Sequence, residues 1–229
     1  MFQKEHITDL FFDLDHTIYD FDKNSALTFQ SVFSDLNLKG VEDFMTHFKP
    51  INDYYWEKLS RNEITHEFLR YARLKDSFNA IDVPVSDDEI HYIAEHFIEN
   101  LTNHSHVFNG AYEALDYLKA KYRLHIITNG PEKVQEKKLK NTHLESYFLT
   151  VTNSEKSGVK KPHPDIFNHA LNLANAEPQK SVMIGDNLLA DISGALNVGM
   201  NVIWFNEFKK QNDLQITEIH QLPELINIL

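Results

Sequence analysis

One apolar segment near the amino terminus, Ile7 to Leu14, stands far in sequence from every other segment that reads as a strand. It is short, apolar and closed by acidic residues, the pattern of a buried strand. From Asp20 to about His106 the periodicity is helical: Leu27, Val32, Phe33 and Leu36, then Phe44, Phe48, Ile51, Tyr55 and Leu59, recur at three- and four-residue spacings. Glu67, Phe68, Tyr71, Ala72 and Leu74 suggest a third helix. Ser86 with Glu89 has capping-box spacing before a fourth stripe, Ile90, Ile93, Ala94, Phe97 and Leu101. Beyond Gly110 strands and helices alternate. Helices are expected at Ala111–Lys121, Val134–Thr142, Pro164–Ala174 and Leu189–Asn197, and strands at Leu124–Thr128, Phe148–Thr152, Ser181–Ile184 and Asn201–Phe205. An edge strand at Ile216–Ile219 and a terminal helix from Pro223 close the chain.

That alternation argues an α/β fold with a central parallel sheet flanked by helices and joined by right-handed crossovers. The first strand belongs to the same sheet, so the helical block is an insertion after it. The expected division is residues 1–19 with 107–229 as the core, and 20–106 as an inserted all-helical domain.

In a parallel sheet ligands bind beyond the carboxyl ends of the strands. Those ends carry Asp13, Asp15 and Thr17; Thr128 and Asn129; and Asp186, Asn187 and Asp191, with Lys160 and Lys161 in the loop before Pro164. Alternate residues of an extended segment share a face, which puts Asp13 and Asp15 near one another. Two close carboxylates in a poorly solvated place resist joint ionisation. A cation between them, or a proton kept on one, relieves this. Asp13, Asp15 and Asp186 are hard oxygen ligands suited to magnesium, which keeps waters and accepts a phosphate oxygen. Thr128 and a lysine can bind the other phosphoryl oxygens. One carboxylate can attack phosphorus and the other can move protons. Taken singly, each of these pieces also reads as a turn, a helix cap or a solvated loop; their joint placement carries the functional reading.

The formal net charge of -12 disfavours duplex nucleic acid. Absence of cysteine removes disulfides and thiolate metal sites. The 13 histidines show no zinc-ligand spacing. No signal-like start and no run long enough to cross a bilayer are seen, so a cytoplasmic protein without a membrane partner is expected.

Asp13-Leu14-Asp15-His16-Thr17, then Thr128 after an apolar strand, then Lys161-Pro162, then Gly185-Asp186-Asn187-Leu188-Leu189-Ala190-Asp191 resemble the four ordered motifs of the haloacid dehalogenase-like hydrolase superfamily. The resemblance covers nearly the whole chain, the helical block standing where the family has its cap domain. It implies a Rossmann-like core, with Asp13 as nucleophile and Asp15 as general acid/base. Mg2+ would be held by Asp13, the main-chain carbonyl of Asp15, and Asp186. Thr128, Asn129 and Lys161 would bind the phosphoryl group, and Thr17, Asn187 and Asp191 would support the site. A carboxylate at Asp15 sets the chain apart from the family's dehalogenases and favours phosphoryl transfer. Asp13 to Phe21 with Asn24 is similar to the noncanonical pyrimidine nucleotidase branch, and Asn52 and Trp56 point weakly the same way. The implied substrate is a small phosphorylated metabolite, a nucleoside monophosphate, with Trp56 as a candidate pocket residue. Phosphoglycolate or sugar-phosphate phosphatase is the alternative; a dehalogenase or an idle binding protein ranks lower.

Overall fold

The structure, a computed structural model, describes residues 4–229. The chain forms two compact units: one comprises the residues up to Asp20 together with His106–Leu229, the other Phe21–Ser105.

The first unit is built on six strands: β1 Asp9–Phe12, β2 Arg123–Thr128, β3 Thr150–Asn153, β4 Ser181–Gly185, β5 Asn201–Phe205 and β6 Thr217–Ile219. All pair in parallel, in the order β3-β2-β1-β4-β5-β6. That is the doubly wound Rossmann order, whose winding reverses between β1 and β4 and opens a crevice at their carboxyl ends. Phe12 lies beside both Ile126 and Ile184, so Asp13 leaves the sheet at that crevice. Every residue of β1 and β4 is buried, as expected of a sheet covered on both faces. Phe11, Ile127, Met183 and Trp204 pack under Ile166, Phe167, Ala170 and Leu171 of the helix Pro164–Ala174. Where the chain leaves this unit and returns, Asp20 N donates to His106 O and Phe108 N to Ile18 O.

The second unit has four helices, α1 Phe21–Asp35, α2 Val41–Ser60, α3 His66–Ala80 and α4 Asp87–Asn100. Thr65 caps α3, and Ser86 with Glu89 forms the anticipated reciprocal box at α4. The interior is largely phenylalanine. Phe29 stacks on Phe97 at 4.5 Å between ring centroids and meets Phe44 and Phe48 edge-on, each at 4.9 Å. Each such pair contributes about 0.5–1.5 kcal/mol beyond its area. Among the described residues no helix is long and apolar enough to cross a membrane.

Three expected elements differ. The inner face of α3 is Leu69, Ala72, Arg73, Leu74, Ser77 and Phe78, while Phe68 is exposed. The expected phase ran through Phe68 because an aromatic outranks an arginine in any hydropathy stripe. The helix expected at Leu189–Asn197 is a wide turn over Leu188–Ser193 followed by Gly194–Asn197. Ile192 N reaches back five residues to Asn187 O, the widened pattern often found at functional sites. At the carboxyl terminus Leu222–Glu224 is a 3-10 turn and Leu225–Ile228 one turn of helix.

Candidate active site

Lys161, rather than Lys160, is the buried lysine before Pro162. Its Nζ donates to Asp13 Oδ1 at 2.6 Å and to the carbonyl of Ile127 at 2.7 Å, and pairs with Asp191 Oδ1 at 2.6 Å. Burial alone would lower its pKa, but Asp13 and Asp191 outweigh this and hold it above the ordinary lysine value. Burial pushes the Asp13 carboxyl up to about 7, against the pull of Lys161 and with the help of Asp191 and Asp15.

Carboxylate oxygens of Asp13, Asp186 and Asp191 lie within 4.8 Å of one another. This trio is all hard oxygen, with two members buried and Asp186 half-buried, a donor set that fits Mg2+. The expected set takes Asp15 through its main-chain carbonyl; the third side-chain carboxylate beside Asp13 and Asp186 is Asp191. Trp204 Nε1 fixes the main-chain oxygen of Asp186 at 2.8 Å. The wide turn after Asn187 is what delivers Asp191. Asn187 Oδ1 accepts from the N–H groups of Leu189 and Ala190, and Asn187 N donates to Asp191 Oδ2 at 3.0 Å. A Cβ on Gly185 would sit 2.3 Å from Asp191 Oδ2, so only glycine leaves room for this carboxylate.

The Asp15 side chain is held elsewhere. Lys138 Nζ donates to Oδ1 at 2.6 Å and Gln135 Nε2 to Oδ2 at 2.8 Å. Burial raises the Asp15 pKa, but Lys138 and Gln135 together overcome it and hold the carboxyl below its usual range. Both partners come from α6 Glu132–Asn141, where α5 is Ala111–Lys119. Neither was singled out from sequence; α6 is lysine-rich and its lysines read as solvated surface. The one available signal is a glutamine and a lysine three apart, one turn into the helix that follows Thr128.

Thr128 is buried, and its Oγ1 accepts from Gln135 Nε2 at 2.7 Å and from Gly130 N at 3.2 Å. Asn129, expected among the phosphate binders, spends its amide on the main chain of Lys161. Nδ2 donates to Lys161 O at 3.0 Å and Lys161 N donates to Oδ1 at 2.8 Å. Its place is to hold the lysine loop. Thr17 is buried with an Oγ1 that has no partner among the described residues. In the helical unit, Trp56 packs half-buried against the Tyr55, Leu59, Leu69 and Ala72 cluster, with its ring 5.9 Å from His66. Buried Asn52 accepts from Arg73.

The chain is 26% identical to the HAD-hydrolase YfnB of Bacillus subtilis in a crystal structure bound to magnesium, with a TM-score of 0.88 over 97% of this chain and 98% of that one. It is 28% identical to the pyrimidine 5'-nucleotidase PynA of Streptococcus pneumoniae, covering 96% of this chain and 94% of that protein. It is 32% identical to the glyceraldehyde 3-phosphate phosphatase of Pyrococcus furiosus, covering 95% and 92%. The family described as haloacid dehalogenase-like hydrolase matches residues 10–205. With that match spanning the carboxyl ends of β1 to β5, the chain belongs to the haloacid dehalogenase-like hydrolases.

Proposed function

We propose that this protein is a magnesium-dependent phosphomonoesterase that works through an aspartyl-phosphate on Asp13. The observation that carries the reading is the divided pair: Asp13 and Asp15, two residues apart, are held by different cations in different hydrogen-bond settings. Such a division suits two carboxylates with two tasks. Lys161 engages only one oxygen of Asp13, leaving Oδ2 to attack phosphorus. As the Asp13–P bond forms, the bond from phosphorus to the ester oxygen breaks, and Asp15, which takes up a proton from water when the anionic substrate binds beside it, gives that proton to the ester oxygen. Asp15 then takes a proton from water as the water attacks phosphorus, releasing inorganic phosphate and restoring Asp13. Thr128 offers a donor to the phosphoryl oxygens, and Lys161, whose three donors already face Asp13, Asp191 and the carbonyl of Ile127, offers its positive charge. Asp13, Asp186 and the main-chain carbonyl of Asp15 would hold Mg2+, with Asp191 as the further carboxylate beside them. The ion would supply charge neutralisation and orientation for the phosphoryl group.

For the substrate we propose pyrimidine nucleoside monophosphates. The Asp13-to-Phe21 segment and the similarity to PynA support this. The similarity to the Pyrococcus furiosus enzyme favours a triose or other sugar phosphate as the second reading. Phosphate release from a panel of nucleoside monophosphates, triose and hexose phosphates and phosphoglycolate, with Mg2+ and with chelator, separates them. Nucleotides turning over no better than sugar phosphates would defeat the nucleotidase assignment, and full activity in chelator would defeat the metal assignment.

A further inference from the structure

Gln135 stands between two groups that the proposed reaction uses. One nitrogen, Nε2, donates to Asp15 Oδ2 at 2.8 Å and to Thr128 Oγ1 at 2.7 Å. With Asp15 ionised, the opposite amide orientation would turn the carbonyl oxygen toward a carboxylate, which favours the donor orientation; Oε1 is then buried without a partner among the described residues. Thr128 Oγ1 also accepts from Gly130 N. A hydroxyl has two acceptor lone pairs and one proton. With both lone pairs taken, the Thr128 proton is left to point at an incoming oxyanion. Lys138, itself buried, takes the other oxygen of Asp15 at 2.6 Å and lies 4.9 Å from the centre of the Tyr19 ring. Both carboxylate oxygens of Asp15 are thereby fixed. The seat is specific in sequence as well: a Cβ on Gly130 would lie 2.5 Å from Gln135 Cδ.

We propose that Gln135 and Lys138 are positioning residues that set Asp15 and Thr128 as one hydrogen-bonded unit, so that engagement of a phosphoryl oxygen by Thr128 and delivery of Asp15 to the ester oxygen are coupled. This rests on the phosphomonoesterase reading above. To reach the ester oxygen Asp15 exchanges one of its two holding bonds, and the Gln135 bond is the one shared with the phosphate-binding hydroxyl. Lys138 keeps the carboxylate from swinging free during that exchange.

The test is steady-state kinetics with a nucleoside 5'-monophosphate, whose alkoxide leaving group needs a proton, and with p-nitrophenyl phosphate, whose leaving group does not. Lys138→Met should lower kcat for the nucleotide by about 10-fold or more and for the aryl ester far less, the pattern of an impaired acid/base partner. In an Asp15→Asn background Lys138→Met should add no further loss, since groups acting through one residue are not additive. Lys138→Arg should restore part of the rate. Gln135→Met should show the same selectivity and in addition raise KM for both esters, because Thr128 loses its orientation. Equal losses on both esters, or losses that add to those of Asp15→Asn, overturn the coupling while leaving the phosphatase reading in place. A wild-type enzyme that releases no phosphate with Mg2+ overturns both. Should Lys138→Met not fold, Lys138→Gln, which removes the charge and keeps a donor, carries the same comparison.

Discussion

The two units bury their cations in opposite ways. In the sheet unit Lys161 lies against Asp13 and Asp191, and Lys138 against Asp15, each contact at 2.6 Å. In the helical unit Arg73 is equally buried, yet among the described residues its side chain has one polar partner, the amide of Asn52 at 2.8 Å. Its guanidinium faces the rings of Phe97 and Phe48, at 5.2 and 5.6 Å, and its Nε is unpartnered. Burial pushes its pKa down to about 9, with Arg70 adding to the fall. A lysine beside a carboxylate keeps a charged, reactive pair in place. An arginine among aromatic faces fixes helix packing and leaves no carboxylate to react. The same physical problem, a charge out of water, is solved for chemistry in one unit and for packing in the other.

If that contrast holds, the most damaging substitution lies in the sheet unit and spares the fold. Asp13→Asn is nearly isosteric and a poor nucleophile. It should retain the wild-type melting temperature and lose activity by more than about 100-fold. Phosphate-release assays beside thermal melts check this, and a variant keeping more than that fraction would exclude covalent catalysis through Asp13.

Asp186→Ala comes next. It removes the half-buried member of the acidic trio, so the Mg2+ concentration for half-maximal rate should rise by about 10-fold or more. A magnesium titration decides it. An unchanged midpoint would leave the trio a packing cluster and bring the two units closer in kind.

The helical unit should answer in stability instead. Arg73→Met leaves the buried oxygen of Asn52 without a donor, at a cost of about 1–3 kcal/mol in denaturant unfolding. Adding Asn52→Leu should recover most of that, since replacing both buried polar partners by apolar groups is far cheaper than stranding one. Failure of the double variant to recover would mean that Arg73 acts through more than Asn52.

These differences also mark what could be read from the chain. Asp13, Thr128, Lys161, Asp186 and Asp191 were legible because strand ends of a parallel sheet converge, and each stands just past an apolar run or in a motif loop. The capping box at Ser86 was legible because its chemistry is local. Lys138 was not, since one lysine among several on α6 becomes buried only once the sheet sets that helix's orientation. Arg73 was hidden for the same reason, its partners being Phe48, Asn52 and Phe97 on other helices. The wide turn at Leu188–Ser193 has no propensity signal. It follows from Asn187, Asp191 and Gly185 satisfying one another in three dimensions.

A third buried charge cluster sharpens the comparison at the amino-terminal ends of the strands, away from the proposed chemistry. Asp9 is fully buried and takes hydrogen bonds from Thr8 at 2.6 Å and Arg123 at 2.8 Å, with His125 Nε2 at 3.1 Å. Burial would raise its pKa, but His125, Thr8 and Arg123 together hold it below the ordinary 3.8. A carboxylate depressed in the folded state contributes stability that is present above its unfolded value and is lost as pH falls through the lower folded value. Below both values the contribution is gone. The loss therefore belongs to the acid side, beneath the ordinary carboxylate range, and leaves neutral pH untouched. Asp9→Asn removes the titrating group while keeping a side chain of similar shape. Its melting temperature should be lower than wild type near neutral pH, and the gap should narrow as pH falls from about 6 to about 3. This is the smallest of the expected effects, since a single carboxylate is involved, and phosphatase activity at neutral pH should hold. A constant gap across that range would show that Asp9 acts by shape alone, and a loss of activity would join this end of the sheet to the chemistry at the other.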